Sequence, residues 1–375
     1  MRIAIVIPGG VDRSGVDRVI PSRLWLIERL TRRHDVHIFA LSQEAEPGDW
    51  KLLGARVHNI GTTRGWRRRL FARFAAEHRA MPFDIVHAFF GGCGTYAALI
   101  GWRHDVPVLF HASGGELVAL PDIAYGMRCT ARGRLALRIA SAGARRVTVA
   151  SAYMQRLAMA QGITTHRVPI GVALDHWPAV PPRPRDPSRR PRLLHVGDIR
   201  PVKDQETLLA AANHLRDAGL DFELHMVGFD TTGGALESSA LARRLSSVTQ
   251  WHGVLRRDAL RHLMKEADVL LVSSRHEAGP LVVLEAAVLG VPTVGTAVGH
   301  VAEWAPEAAV AVPIGDATEL ARMTAALLAD EPRRLAVART AQIKATACDA
   351  DYTAAAFERI YEELLAETKP PTHAP

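Results

Sequence analysis

The chain has 375 residues, 48% hydrophobic and 23% charged. A soft figure of about 150 residues per domain predicts two or three domains. That length can bury more than one sizeable core without disulfide or metal staples, and the composition excludes a disordered, collagen-like or fibrous chain. No run of 18 uninterrupted apolar residues occurs; the nearest, Ala88 to Trp102, spans 15 and is broken by glycines, so it does not read as a membrane span.

The opening residues Met1–Gly10 read as a buried first strand rather than a signal peptide. Three widely spaced cysteines, Cys93, Cys129 and Cys348, form no metal-ligand or redox spacing and suit a reduced, cytoplasmic compartment. The net charge of +7 is uneven. Residues 1–180 hold 24 Lys+Arg against 13 Asp+Glu, and residues 181–375 hold 22 against 26. A basic first half suits a phosphate-bearing partner or an anionic membrane.

In chain order, short apolar strands are predicted at Ile3–Ile7, Val36–Leu41, Ile85–Ala88, Val106–Phe110 and Val147–Ala150, with helical periodicity between them, as at Ile20, Leu24, Ile27 and Leu30. The basic stretch 64–79 contains Trp66, Leu70 and Phe74 at a spacing of four. It is either a helix lying on the inner face of an anionic membrane or a helix packed on its own sheet. No nucleic-acid module accompanies the charge. Six prolines between Pro178 and Pro191 predict an exposed linker. Beyond it, strands follow at Leu193–Val196, Glu223–Val227, Val269–Val272, Thr293–Gly295 and Val310–Val312. The predicted fold is α/β, with two Rossmann-like doubly wound parallel-sheet domains facing a central cleft. The expected division is 1–177, a linker over 178–191, a second domain over 192–350, and a terminal helix over 351–368 packing back toward the first domain. The proline-rich tail Lys369–Pro375 reads as disordered. Asp349-Ala350-Asp351 reads as a helix N-cap rather than a metal motif.

The segment Ser273–Thr293 carries the most chemical information. It opens a helix with Pro280 in its first turn, which leaves the amides of Leu281 and Val282 free for a phosphate. Glu277 precedes that helix. Glu285, eight residues on and inside it, can accept two hydrogen bonds from a ribose diol. Two acidic residues so spaced, followed by Ala286-Ala287-x-x-Gly290-x-Pro292, resemble the signature of retaining glycosyltransferase family 4, of GT-B fold. The Gly9-Gly10 loop, Pro169–Val172, His195–Lys203, Gly253–Leu255 and Val298–Glu303 extend the resemblance over nearly the whole chain.

The resemblance implies transfer of a hexose from a nucleotide diphosphate sugar to a hydroxyl acceptor (a glycan, a lipid-linked glycan or a small molecule) with retention and without a metal or other cofactor. It implies that Lys203, and Arg200 with it, neutralises the diphosphate and that Glu285 binds the ribose. Glu277 and His111 lie at the donor sugar, and Gly10 and Gly279 let the backbone approach. Two positions depart from the family. Asp198 stands where relatives carry arginine, so either it points away or Arg200 compensates. Ala278-Gly279-Pro280 replaces Gly-Phe-Gly, and Pro280 offers no amide, so one phosphate hydrogen bond has to come from elsewhere. The alternatives are an epimerase or hydrolase of the same fold and a non-catalytic sugar-nucleotide-binding protein. A dehydrogenase is disfavoured, because the loop after the first strand lacks Gly-x-Gly-x-x-Gly.

Overall fold

The computed structural model describes residues 1–368, so the tail expected to be disordered lies outside it. The chain divides into two compact units, Met1–Ile170 with the C-terminal segment from Ala350, and Gly171–Asp349.

The first unit contains β1 (Arg2–Ile7), α1 (Pro21–Leu30), β2 (Asp35–Ala40), β3 (Gly48–Leu52), β4 (Ala55–Asn59), α2 (Trp66–Ala80), β5 (Ile85–Phe89), α3 (Gly91–His104), β6 (Val108–Ala112), α4 (Ala131–Gly143), β7 (Arg146–Val149), α5 (Ala152–Met159) and β8 (His166–Arg167). Its sheet has the order β3-β4-β2-β1-β5-β6-β7-β8, parallel except for the β3–β4 hairpin. Alternation along β1 sends Ile3, Ile5 and Ile7 into one core layer and Ala4 and Val6 into the other. Such a strand, buried on both faces, is what an all-apolar run encodes.

The second unit contains β9 (Arg192–Val196), α6 (Gln205–Asp217), β10 (Glu223–Val227), α7 (Ala240–Arg244), β11 (Thr249–Gly253), α8 (Arg257–Glu266), β12 (Val269–Val272), α9 (Leu281–Val288), β13 (Thr293–Thr296), α10 (Gly299–Trp304), β14 (Val310–Val312), α11 (Ala317–Ala329) and α12 (Glu331–Ala347). Its sheet is all parallel in the order β11-β10-β9-β12-β13-β14. The direction of winding reverses between β9 and β12. In doubly wound sheets, ligands sit outside the carboxyl ends of the strands at such a switch point.

The last helix, α13 (Ala350–Thr368), belongs to the first unit. Phe357, Tyr361 and Leu364 join the core layer of Ile3, Ile5 and Ile7. Tyr361 Oη lies 2.6 Å from His87 Nδ1, and Asp351 forms a two-bonded pair with the Arg29 guanidinium (2.9 and 3.2 Å). Asp351 therefore ties α13 to α1, beyond the capping role expected of its segment.

One expectation changes. The proline-rich stretch is no free linker: the division falls at Ile170/Gly171, and residues 178–191 lie within the second unit. Prolines there cannot donate to a sheet, but the stretch still offers carbonyls. Val180 O accepts from Gln342 Nε2 (2.7 Å) and Arg183 O from Arg334 Nη2 (2.7 Å), while the Val180 amide donates to Val288 O. Of the two readings of the stretch 64–79, the structure takes the helix packed on its own sheet. Leu70 and Phe74 are fully buried against Phe39 and Phe83, and Trp66 packs at the edge of the same layer. Several of its arginines are held internally: Arg67 by Tyr96, Arg69 by Ile60 O and Thr63, Arg73 by Asp49 and Glu77. No helix among the described residues is long and apolar enough to cross a membrane.

Candidate functional site

The switch point of the second sheet gathers the segments after β9 and β12. After β9 the chain makes a short 3-10 turn over Pro201–Lys203, anchored to the loop after β12 by Ser273 Oγ donating to Lys203 O (2.8 Å) and Arg275 N donating to Val202 O (2.8 Å). This places Lys203 Nζ 2.6 Å from Glu277 Oε1, and the Ser274 hydroxyl donates to the same oxygen at 2.7 Å. Burial alone would raise the Glu277 pKa. The Lys203 ammonium and the Ser274 hydroxyl overcome it and hold the carboxyl below its usual range.

Beneath the pair, His195 Nδ1 donates to Leu271 O (3.0 Å), which leaves Nε2 to accept from Gln205 Nε2 (3.2 Å). Burial, with Lys203 nearby, pushes this histidine down to about 4, so it stays neutral. Gln205 also donates to Asp198 O at 2.9 Å, fixing the backbone that leads to Arg200. Arg200 itself is exposed.

Helix α9 begins after Pro280, whose φ of −66° and ψ of 114° make it the N-cap. The first amide to return a hydrogen bond is that of Val283, to Pro280 O, so the Leu281 and Val282 amides, both half-buried, stay open at the positive end of the helix. Gly279 precedes them. Glu285 lies one turn further in, 7% exposed, and its carboxylate has no hydrogen-bond partner among the described residues. Burial pushes its pKa up to about 8. Gly299, with φ +50°, abuts this loop: a Cβ there would stand 2.6 Å from Pro280 Cδ and 3.1 Å from Glu277 Cβ.

At the carboxyl ends of β9, β10 and β11 lies a cavity of about 120 Å³, bounded by His195, Gly197, Met226, Phe229, Trp251 and Val254. Of the two readings of Asp198, the structure takes the one in which it turns aside. It is exposed, and its Oδ1 accepts the Phe229 amide at 3.3 Å.

Sequence reasoning thus brought Lys203, Glu277, Glu285 and the α9 amides to one switch point. Ser274 and the His195–Gln205 pair were missed, although Ser274 sits inside the informative segment. The other two expected residues belong to the first unit. His111 is fully buried on β6, with its ring 5.6 Å from both Phe89 and Phe357; Nδ1 lies 2.9 Å from Thr148 Oγ1 and Nε2 has no partner. Burial, with Arg23 near it, keeps this histidine neutral. Gly10 is held within the first unit. Its φ is +83°, a Cβ would meet Ile20 Cγ1 at 2.5 Å, and its amide donates to Gln43 Oε1. Backbone conformation and Ile20 require the glycine.

His37, His58 and Glu77 place ligand-type atoms within 4.8 Å of one another in the first unit. They do not fit a cation. Arg2 Nη2 lies 3.0 Å from His37 Nε2, and His37 Nδ1 is spent on His58.

Two doubly wound α/β units, the second with a lysine–carboxylate pair and open helix amides at its switch point, define a two-domain Rossmann-like architecture with an anion-binding site. Comparison with known proteins specifies it. Residues 180–344 match the model of "Glycosyl transferases group 1", and residues 19–173 that of "Glycosyl transferase 4-like domain". The chain is 28% identical over 319 residues to D-inositol 3-phosphate glycosyltransferase of Xylanimonas cellulosilytica, covering 77% of this chain and 74% of that protein. In fold it is similar to sucrose-phosphate synthase of Thermosynechococcus elongatus (TM-score 0.80, 18% identity, 98% of this chain and 100% of that one). It is also similar to HepE of Anabaena in complex with UDP (TM-score 0.73, 17% identity, 97% and 100%). The chain is a glycosyltransferase of GT-B fold, and it belongs to the group 1 glycosyl transferases of the family 4 type.

Proposed function

We propose that this glycosyltransferase moves a hexose from a nucleotide diphosphate sugar to a hydroxyl acceptor, with retention at the anomeric carbon and without a metal. The observation that carries the reading is the Lys203–Glu277 pair beside the open α9 amides and the unpartnered Glu285 carboxylate. The diphosphate takes the remaining hydrogens of the Lys203 ammonium and the amides of Leu281 and Val282, with Arg200 at the exposed edge. The ribose hydroxyls donate to Glu285, and the base enters the cavity beside Trp251 and Phe229. HepE has been solved with UDP, and a trehalose-phosphate relative of the fold from E. coli with UDP-2-fluoro glucose, which supports a nucleoside diphosphate donor.

As the anomeric bond breaks, charge develops on the leaving diphosphate, and fixed cations and amides stabilise it without reorganisation. Glu277 faces the opposite charge growing on the sugar. The acceptor attacks from the side the diphosphate leaves, and the departing phosphate takes its proton.

A thermal-shift panel of UDP, GDP, ADP and dTDP, with and without magnesium, tests the donor side. One nucleotide is expected to raise the melting temperature regardless of magnesium and to lose that effect in Lys203→Met. With the donor sugar and an acceptor, Lys203→Met is expected to lower kcat by about 10²–10³-fold, and NMR of the product reports an unchanged anomeric configuration. If neither nucleotides nor their sugars shift the wild type, the site is a decayed one and the reading fails.

A further inference from the structure

In the first unit, a cavity of about 1020 Å³ opens between α4, the turn into β7 and the segment from Ala160 to His166. Its lining includes Arg128, Arg134, Arg138, Arg145 and Arg146, with His166 beside them, and no Asp or Glu lines it. Apart from Arg146, which pairs with Glu367 of α13, these arginines have no ion-pair partner among the described residues. Arg134 and Arg138 stand four residues apart on α4, Arg145 lies just past its C-terminal end, and all three are exposed. Leu135, 58% exposed, lines the same cavity together with Leu137, Val147 and Ile163.

So many guanidiniums packed without counter-charge repel one another, and an anion relieves that repulsion. An apolar floor under a cationic rim fits an amphiphile better than a wholly polar ligand. Nucleic acid is a poorer occupant, because no Phe, Tyr or Trp lines the groove to stack on bases. The other basic segment, on α2, has its apolar stripe buried in the core and cannot present it to lipid.

We propose that the α4 groove seats anionic headgroups of a phospholipid bilayer, with Arg134, Arg138 and Arg145 on the phosphates and Leu135 reaching the acyl boundary. Attachment of this kind is peripheral and uses residues of the first unit alone, whereas the proposed donor residues belong to the second.

Co-sedimentation of the full chain with phosphatidylcholine vesicles, with and without phosphatidylglycerol, at low salt, tests it. The wild type is expected to bind only the anionic vesicles. Arg134→Glu/Arg138→Glu is expected to lower the partition coefficient at least about tenfold. The pair Arg64→Glu/Arg68→Glu on and beside α2, of equal charge change, is expected to alter it less than about twofold. Leu135→Ser is expected to weaken binding with charge unchanged. An unaltered circular-dichroism melt shows that each variant folds, and the milder Arg134→Gln/Arg138→Gln is expected to rank between wild type and the glutamate pair. Equal losses for the two glutamate pairs mean diffuse charge and overturn the proposal. So do absence of wild-type binding and an unchanged partition for Leu135→Ser, the latter pointing to an acidic polymer or protein instead.

Discussion

Glu285 is a carboxyl group buried beside no hydrogen-bond donor, and its titration near 8 rather than 4.5 follows from that burial alone. Between those values the folded chain holds a proton that the unfolded chain has released. Its stabilising contribution is full below about pH 4.5 and is lost as pH rises through about 8. Glu285→Gln is neutral throughout and escapes the loss, so its melting temperature relative to wild type is expected to climb between about pH 5 and 9; parallel curves for the two proteins would refute the assignment. Ribose hydroxyls favour the charged form, so nucleotide affinity of the wild type is expected to rise over the same window, and that of Glu285→Gln to stay flat. Glu285 and Glu277 were legible in the sequence because one contiguous strand–loop–helix segment carries both. Arg23 was not. Its buried guanidinium lies 4.0 Å over the Phe89 ring, with Nη2 donating to Ser113 and the Nε and Nη1 hydrogens unpartnered. Burial, eased only by Glu116, pulls it down to about 9. Three distant segments make that environment, and no local pattern announces such a meeting.

At the scale of elements, the second-unit site depends on how closely the ends of β9 and β10 approach. Gly228 has φ +151°, and a Cβ there would stand 2.0 Å from Gly197 O, the residue that starts the turn toward Lys203. Gly228→Ala is therefore expected to displace the 197–203 turn and to weaken nucleotide binding more than it lowers stability. Titration calorimetry alongside a thermal melt separates the two; an alanine variant that binds normally would show that the turn is not braced by β10. The central strands were readable because each is a short apolar run buried on both faces. Of the strands not foreseen, β4 is mostly buried but polar in sequence, with Arg56, His58 and Asn59, and β3, β8 and β11 are mostly half-buried or exposed. In β3, Gly48, Trp50 and Lys51 stay partly or wholly exposed, and the hairpin to β4 turns on Leu53 and Gly54, both with positive φ. Similarly, β11 is nowhere fully buried, and β8 is a two-residue edge. A pattern that looks for continuous apolar runs passes over such strands. It also misplaced the proline-rich stretch, because proline content reports the missing amides and not the carbonyls that Gln342 and Arg334 use.

On the scale of the whole molecule, the chain builds most of one unit, then the other, and returns to finish the first with α13. The two units therefore have unequal claims on the C-terminus. Phe357 and Tyr361 are fully buried against the sheet of the first unit, where Tyr361 partners His87 Nδ1 and Asp351 holds Arg29. Removing residues 350–375 strips those groups from a core built on β1 and leaves Arg29 a buried cation without its bidentate partner. Loss of one large buried aromatic costs about 3–5 kcal/mol, and net stabilities are only about 5–15 kcal/mol. Two aromatics, a leucine and an ion pair together exceed what one unit can lose. The truncated chain is expected to lose the cooperative melt of the first unit, while the nucleotide that stabilises the full chain still shifts the melt of the second. Hydrogen exchange locates the effect: amides of β1, β2 and β5 lose protection, and those of β9, β10 and β12 keep it. Retained protection in β1 would mean that the first sheet closes its core without α13, and uniform loss across both sheets would mean that the second unit needs the first in order to fold.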